Sequence, residues 1–227
     1  MHPSRKTALL AVTLAAVFSL LMTDASARSA RGIPCRPGKS KLIAADTQAV
    51  VYLGRVTEPS NRTTYPAYLG CLRGARRAYE VGGPGVGSSS VADGTRNLMV
   101  AGPIVVWEHW SSTGMGSPER NEWVVLVLNL RTGRILHKLP TGTATVREWT
   151  GVGPTTGIVV SPTGGLVAWI VRVVDEQGQH GYEVHATDIT GTRILAMGTN
   201  IDPHSLALAG HTIYWTQGGK PSAAALI

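Results

Sequence analysis

The chain has 227 residues, 43% hydrophobic and 15% charged, with a formal net charge of +7. That apolar content excludes a disordered chain, and a count of only two cysteines excludes a disulfide-dense miniprotein. The positive balance leaves an anionic partner open.

The N-terminus reads as an export signal. Arg5 and Lys6 supply a basic start, and a mostly apolar run follows from Ala8 to Met22. Ala25-Ser26-Ala27 then gives the small-x-small pattern that signal peptidase cleaves. A signal peptide over 1–27 is therefore expected, leaving a mature chain that is secreted or associated with the cell envelope. A retained membrane anchor is the alternative. No later segment holds about 18 consecutive apolar residues, so no stable span is expected after cleavage. Arginine outnumbers lysine 16 to 5, the balance of a GC-rich bacterial genome.

Residues 28–40 form an N-terminal arm containing Cys35, and Cys71 lies in the first strand-rich unit. An isolated cysteine pair in an exported chain is expected to form a disulfide. Zinc would need about four ligands, and no Cys-x-x-Cys or closely spaced histidine pair accompanies these two. Charge is uneven along the chain. Residues 28–77 carry ten basic groups against two acidic ones, whereas 78–227 carry nine against eleven. The basic part could meet an anionic envelope polymer or simply be solvated. Nucleic acid is not an expected partner, because export removes the opportunity and no recognition motif is present.

Past the arm, apolar residues alternate with period two and Val and Ile abound, so strands are expected throughout and no helical period occurs. In chain order the hairpin-like stretches begin at Leu42, Tyr68, Leu98, Leu126, Ile158, Val184 and Leu206. Two kinds alternate. One carries an aromatic mark after a tight turn: Tyr52, Trp107, Trp169 and Trp215, spaced 55, 62 and 46 residues apart. The other has a Gly-containing turn followed by Arg, as in "LRGAR", "LRTGR" and "ITGTR".

A unit of about four strands recurring at this spacing is the signature of a β-propeller blade. "LNLRTGRIL" and "TDITGTRIL" resemble a hairpin found in many propeller repeats. "VVSPTGGLVAW" resembles the turn of TolB-like and YVTN-like propellers, with Thr163 standing where that turn carries Asp. The resemblance implies an all-β, propeller-like fold of about three and a half to four four-stranded blades, and it carries no catalytic residue over. The expected blades are 41–82, 97–140, 143–198 and a partial 204–227. A β-sandwich is the alternative.

No catalytic, cofactor-binding or metal-ligating set emerges. "GGPGVGSSSVADG" (82–94) lacks the Lys-Ser/Thr and the following helix of a phosphate loop and reads as an inter-blade linker. His180, Glu183, His185 and Asp188 lie close in sequence, but Asp188 has the opposite strand parity and His180 is expected in a turn. Glu108 and His109 are adjacent and so face opposite sides. What recurs is loop length: between the second and third strands of each unit lie the polar stretches 57–66, 111–122 and 175–181. Insertions at one place in a repeat project from one face. They would form a binding rim carrying Arg62, Glu119, Arg120, Asn121, Asp175, Glu176 and His180. The expected function is an exported, non-enzymatic binding or scaffolding module meeting a protein or anionic envelope polymer. The alternative is a hydrolase or lyase acting on extracellular polysaccharide or peptide.

Overall fold

The period-two alternation becomes strand almost everywhere it occurs. The computed structural model describes residues 34–87, 91–113, 120–141, 154–174 and 178–227, and these hold no helix. They form four antiparallel sheets in chain order. The first contains β1 (Lys41–Ala45), β2 (Ala49–Thr57), β3 (Thr64–Leu72) and β4 (Tyr79–Glu80). The second contains β5 (Val86–Gly87), β6 (Val91–Ala101), β7 (Ile104–Thr113), β8 (Arg120–Asn129) and β9 (Arg134–Pro140). The third has β10 (Thr155–Val160), β11 (Val167–Val174), β12 (His180–Asp188) and β13 (Gly191–Gly198). The fourth has three strands: β14 (Ala207–Ala209), β15 (Thr212–Gln217) and β16 (Lys220–Ala225).

Inner strands of successive sheets are neighbours: β1 lies against β6, β6 against β10 and β10 against β14. Core side chains fill the gaps between consecutive sheets. Val51, Val105, Trp107 and Leu128 sit between the first two, and Val106, Val127, Trp169 and Val171 between the second and third. Ala168, Ile170, Ile213 and Trp215 lie between the third and fourth. A strand packed on both faces must be apolar at both parities, which is why "IVVW" and "VAWIV" are unbroken runs. Each buried branched side chain adds about 1.5–3 kcal/mol of transfer free energy. The fold is thus all-β and propeller-like. Because the sheets are open, it also satisfies the face-to-face packing of a sandwich.

The four aromatic marks occupy corresponding places in the second strand of each expected unit. Trp107, Trp169 and Trp215 each face the preceding sheet and are at most 6% exposed. Tyr52, in the first sheet, faces the N-terminal arm. There Cys35 is bonded to Cys71 of β3 with Cα atoms 5.6 Å apart, within the reach a disulfide requires. The arm thereby covers Val50, Leu69 and Cys71, the face that no neighbouring sheet covers.

The hairpin turns follow the expected chemistry. Gly191 has φ 106° and Gly133 φ 69°, and a Cβ on Gly133 would collide with the ring of Tyr79. The second sheet departs from its expected start at residue 97. Its inner strand begins at Val91, and β5 adds a short edge, so part of the Gly-rich stretch 82–94 is strand. A register shift between Arg96 and Met99, with Asn97 at φ 48°, breaks the alternation and conceals the strand from a periodicity reading. His180 is the first residue of β12, not part of a turn. The expected signal peptide (1–27) and residues 142–153 lie outside the described residues.

Candidate binding face

Two ends of the sheet assembly differ in kind. At one end the turns between inner and second strands pack together. Asp46 caps its own turn, accepting the N–H groups of Gln48 and Ala49 at 2.7 Å, and also accepts the N–H of Gly102 in the corresponding turn of the second sheet. Burial works against ionisation of Asp46, but these three N–H donors and Arg73 hold its carboxyl below the usual range. Gly102 in turn lies against Pro162 of the third sheet's turn. A cavity of ≈ 450 Å³ opens beside it, lined by Met99, Val159, Pro162, Leu208 and His211 among others.

The connections leave from the other end of the second strands and are shorter than expected, 58–63, 114–119 and 175–179, because 57, 64–66, 111–113, 120–122 and 180–181 are strand. The first is a closed turn: Glu58 and Thr63 are joined by a backbone hydrogen bond of 2.9 Å, and Asn61 accepts the N–H of Thr63 at 2.8 Å. Arg62 is exposed at its tip with φ 57°. In the second connection Glu119 lies outside the described residues. Arg120 and Asn121 open β8, paired with Thr113 and Ser112. In the third, Asp175 and Glu176 lie outside the described residues. His180 Nε2 accepts a 2.7 Å hydrogen bond from the guanidinium of Arg172, both groups being solvent-exposed. The fourth sheet has no long connection: Gly218 and Gly219 join Gln217 to Lys220 as a tight hairpin.

On the second sheet, near this end, stands a group that loop length does not reveal. Trp110 of β7 pairs with Trp123 of β8, their ring centroids 6.0 Å apart and their planes inclined by 31°. The Arg96 guanidinium sits 5.7 Å from the Trp110 ring and 5.4 Å from that of Trp123. Such cation–π contacts contribute about 0.5–1 kcal/mol each at exposed sites. Gly94 makes room for the indole: a Cβ there would lie 2.7 Å from Trp110 Nε1.

Beneath this group, Glu108 is fully buried and joins the second sheet to the third. Its Oε1 accepts the N–H of Thr155 at 2.8 Å, and its Oε2 accepts the hydroxyl of Thr155 at 3.1 Å and the amide of Asn97 at 3.3 Å. Burial, the largest influence, raises its carboxyl above the ordinary range despite these bonds and the attraction of Arg96.

The acidic and histidine side chains that are close in sequence resolve into separate structural pairs. Glu183 and His185 are 2% and 3% exposed and hydrogen-bonded at 2.7 Å, and the imidazole stacks on Trp169 with centroids 5.1 Å apart. Asp188 faces the other way and pairs with Arg193 at 2.7 Å. Among the described residues, no three His, Cys, Asp or Glu side chains are grouped to hold a metal ion. Also among them, no helix is long and apolar enough to cross a membrane. Compared with protein-family models, curated proteins and solved structures, the chain matches none of them.

Proposed function

We propose that this chain is an exported, non-enzymatic binding module of the cell envelope or extracellular space, gripping its partner with the face that bears the long connections. The observation carrying this reading is the asymmetry between the two ends. One is closed by packed turns tied through Asp46 and Gly102. From the other leave the three polar connections, the second and part of the third outside the described residues. The Arg96, Trp110 and Trp123 group stands near this end of the second sheet. Contact surfaces enriched in Trp and Arg with a polar rim are the usual make-up of protein-binding and polymer-binding faces. The Cys35–Cys71 disulfide accords with an oxidising, extracytoplasmic setting.

Shortening the connections 58–63, 114–119 and 175–179 to tight turns, as the fourth sheet already has, tests the reading. Thermal stability should stay close to that of the parent, while capture of the partner from envelope extract is lost. Capture that survives the shortening moves the site elsewhere. Turnover of a glycan or peptide by the intact protein, abolished by one carboxylate or histidine substitution, would replace the binding reading with the hydrolase or lyase alternative.

A further inference from the structure

Arg96 differs from the other described arginines whose contacts are known. Arg73 donates to the carbonyl of Asp46, Arg131 to Gln48, Arg172 to His180 and Arg193 to Asp188. Arg96 is exposed and rests on two indoles; no described residue accepts a hydrogen bond from its guanidinium or pairs with it within ion-pair distance. A cation–π contact fixes the guanidinium plane without using its N–H groups. The result is a positioned fork of donors without an acceptor among the described residues, a geometry that matches a carboxylate in bidentate fashion. The N–H groups of Trp110 and Trp123 also lack an acceptor among the described residues, and both rings are only half-buried. An aromatic ring with a negative face attracts the C–H-rich face of a pyranose, and the indole N–H can donate to a ring hydroxyl.

We infer that Arg96, Trp110 and Trp123 form a subsite for a carboxylate-bearing sugar, one unit of an acidic polysaccharide. This inference rests on the binding-module reading and names the ligand class of the same face. Local charge favours a sparsely charged sugar over a phosphodiester chain. The acid on this face is Glu108, opposite Arg96 in the register, whereas Asp93 and Glu122 alternate to the other face. One guanidinium on this face matches a single carboxylate, whereas a phosphodiester chain calls for several cations along its length. The net charge of +7 assists the approach of the polymer as a whole.

The experiment titrates the mature chain with a galacturonate oligosaccharide, reading tryptophan fluorescence and calorimetric heat. A galactose oligosaccharide of equal length serves as the uncharged control. Galacturonate should bind and galactose should bind at least about tenfold more weakly, the factor that a lost charge-assisted hydrogen bond brings. Arg96→Gln should weaken galacturonate by a similar factor, and Arg96→Lys should recover only part of it, since an ammonium keeps the charge and loses the fork. Trp123→Leu should weaken both sugars. Unchanged circular dichroism and melting temperature for the surface variant Arg96→Gln keep the comparison clear of misfolding.

Equal affinity for galactose, full affinity in Arg96→Gln, or no binding of galacturonate overturns the subsite. Tighter binding of a single-stranded oligonucleotide or of ring-less poly(glycerol phosphate) overturns it too. Partner capture that depends on the long connections while galacturonate fails to bind removes the subsite and leaves the binding face standing. Galacturonate binding that depends on Arg96, together with capture that survives loop shortening, does the reverse.

Discussion

Asp188, at the end of β12, accepts the backbone N–H of Ile227 at 3.0 Å, tying the third sheet to the end of the chain beyond β16. Its carboxylate also receives the Thr190 hydroxyl at 2.6 Å and the Thr190 N–H at 2.9 Å, and pairs with Arg193 at 2.7 Å. Arg193 extends the tie by donating to the carbonyl of Ala225 at 3.1 Å. Burial alone would raise the Asp188 carboxyl, but the donors around it outweigh burial and hold it far below the ordinary range.

The sign of the resulting pH dependence follows. A carboxyl depressed in the folded state contributes stability that is complete above its unfolded value, about 3.9, and is lost as pH falls through the folded value. Asp188→Asn should therefore cost about 1–3 kcal/mol at neutral pH. The gap between variant and parent should narrow steadily below about pH 4. Urea unfolding at a series of pH values measures both. A gap independent of pH would show that Asp188 acts through shape alone.

The repeated tryptophans are equivalent in place but not in hydrogen bonding. Trp169 donates its indole N–H to the carbonyl of Thr141 at 2.6 Å, whereas that of Trp215 is buried without a partner among the described residues. Replacing either by Ala should cost about 3–5 kcal/mol. Phe separates them: Trp169→Phe additionally leaves a buried carbonyl short of its donor, at about 1–3 kcal/mol, and Trp215→Phe removes a donor that had none to lose. Thermal melts of the two Phe variants should therefore differ, with Trp169→Phe the less stable.

The architecture was legible because propeller-like packing makes a periodic demand on the chain. The second strands of the later three sheets need a large aromatic facing the preceding sheet, supplied by Trp107, Trp169 and Trp215, and Tyr52 at the corresponding place in the first sheet meets the N-terminal arm. The disulfide was legible because Cys35 and Cys71 had no other chemistry to serve. The Arg96 group was legible only in part. Trp110 and Trp123 are placed symmetrically about the connection after β7, so pairing β7 with β8 brings them opposite each other. Arg96 was hidden because the register shift at Asn97 breaks the alternation and Gly94 makes the preceding stretch look like linker. Glu108 was set aside for being unable to cooperate with His109; its partners, Asn97 and Thr155, come from other strands.

The disulfide closes the face of the first sheet that no other sheet covers. Reducing it, or making the double Ser variant at Cys35 and Cys71, frees the arm from Leu69 and Val50. The expected loss is about 3–4 kcal/mol for a loop of this size. Hydrogen exchange should rise first in β2 and β3, with the third and fourth sheets keeping their protection. Exchange rising equally in all four sheets would show instead that the assembly unfolds as one unit.

Glu108 carries the opposite sign from Asp188. Its carboxyl is raised in the folded state, so its contribution is complete below the unfolded value, about 4.3, and is lost as pH rises through the folded value. The junction between the second and third sheets should therefore weaken, not strengthen, on passing from mildly acidic to neutral pH. Glu108→Gln removes the titration while keeping an oxygen to accept the N–H of Thr155, so its stability should lack that decline. Glu108→Ala leaves the N–H and hydroxyl of Thr155 and the amide of Asn97 without their acceptor and should cost about 2–4 kcal/mol at any pH in this range. The measurement is the urea midpoint of parent, Gln and Ala chains between about pH 4 and pH 8, the window that contains a raised glutamate. A parent whose midpoint falls with pH beside a flat Gln variant supports the assignment. Parallel curves for the two would place the titrating group elsewhere and leave Glu108 with a purely geometric role.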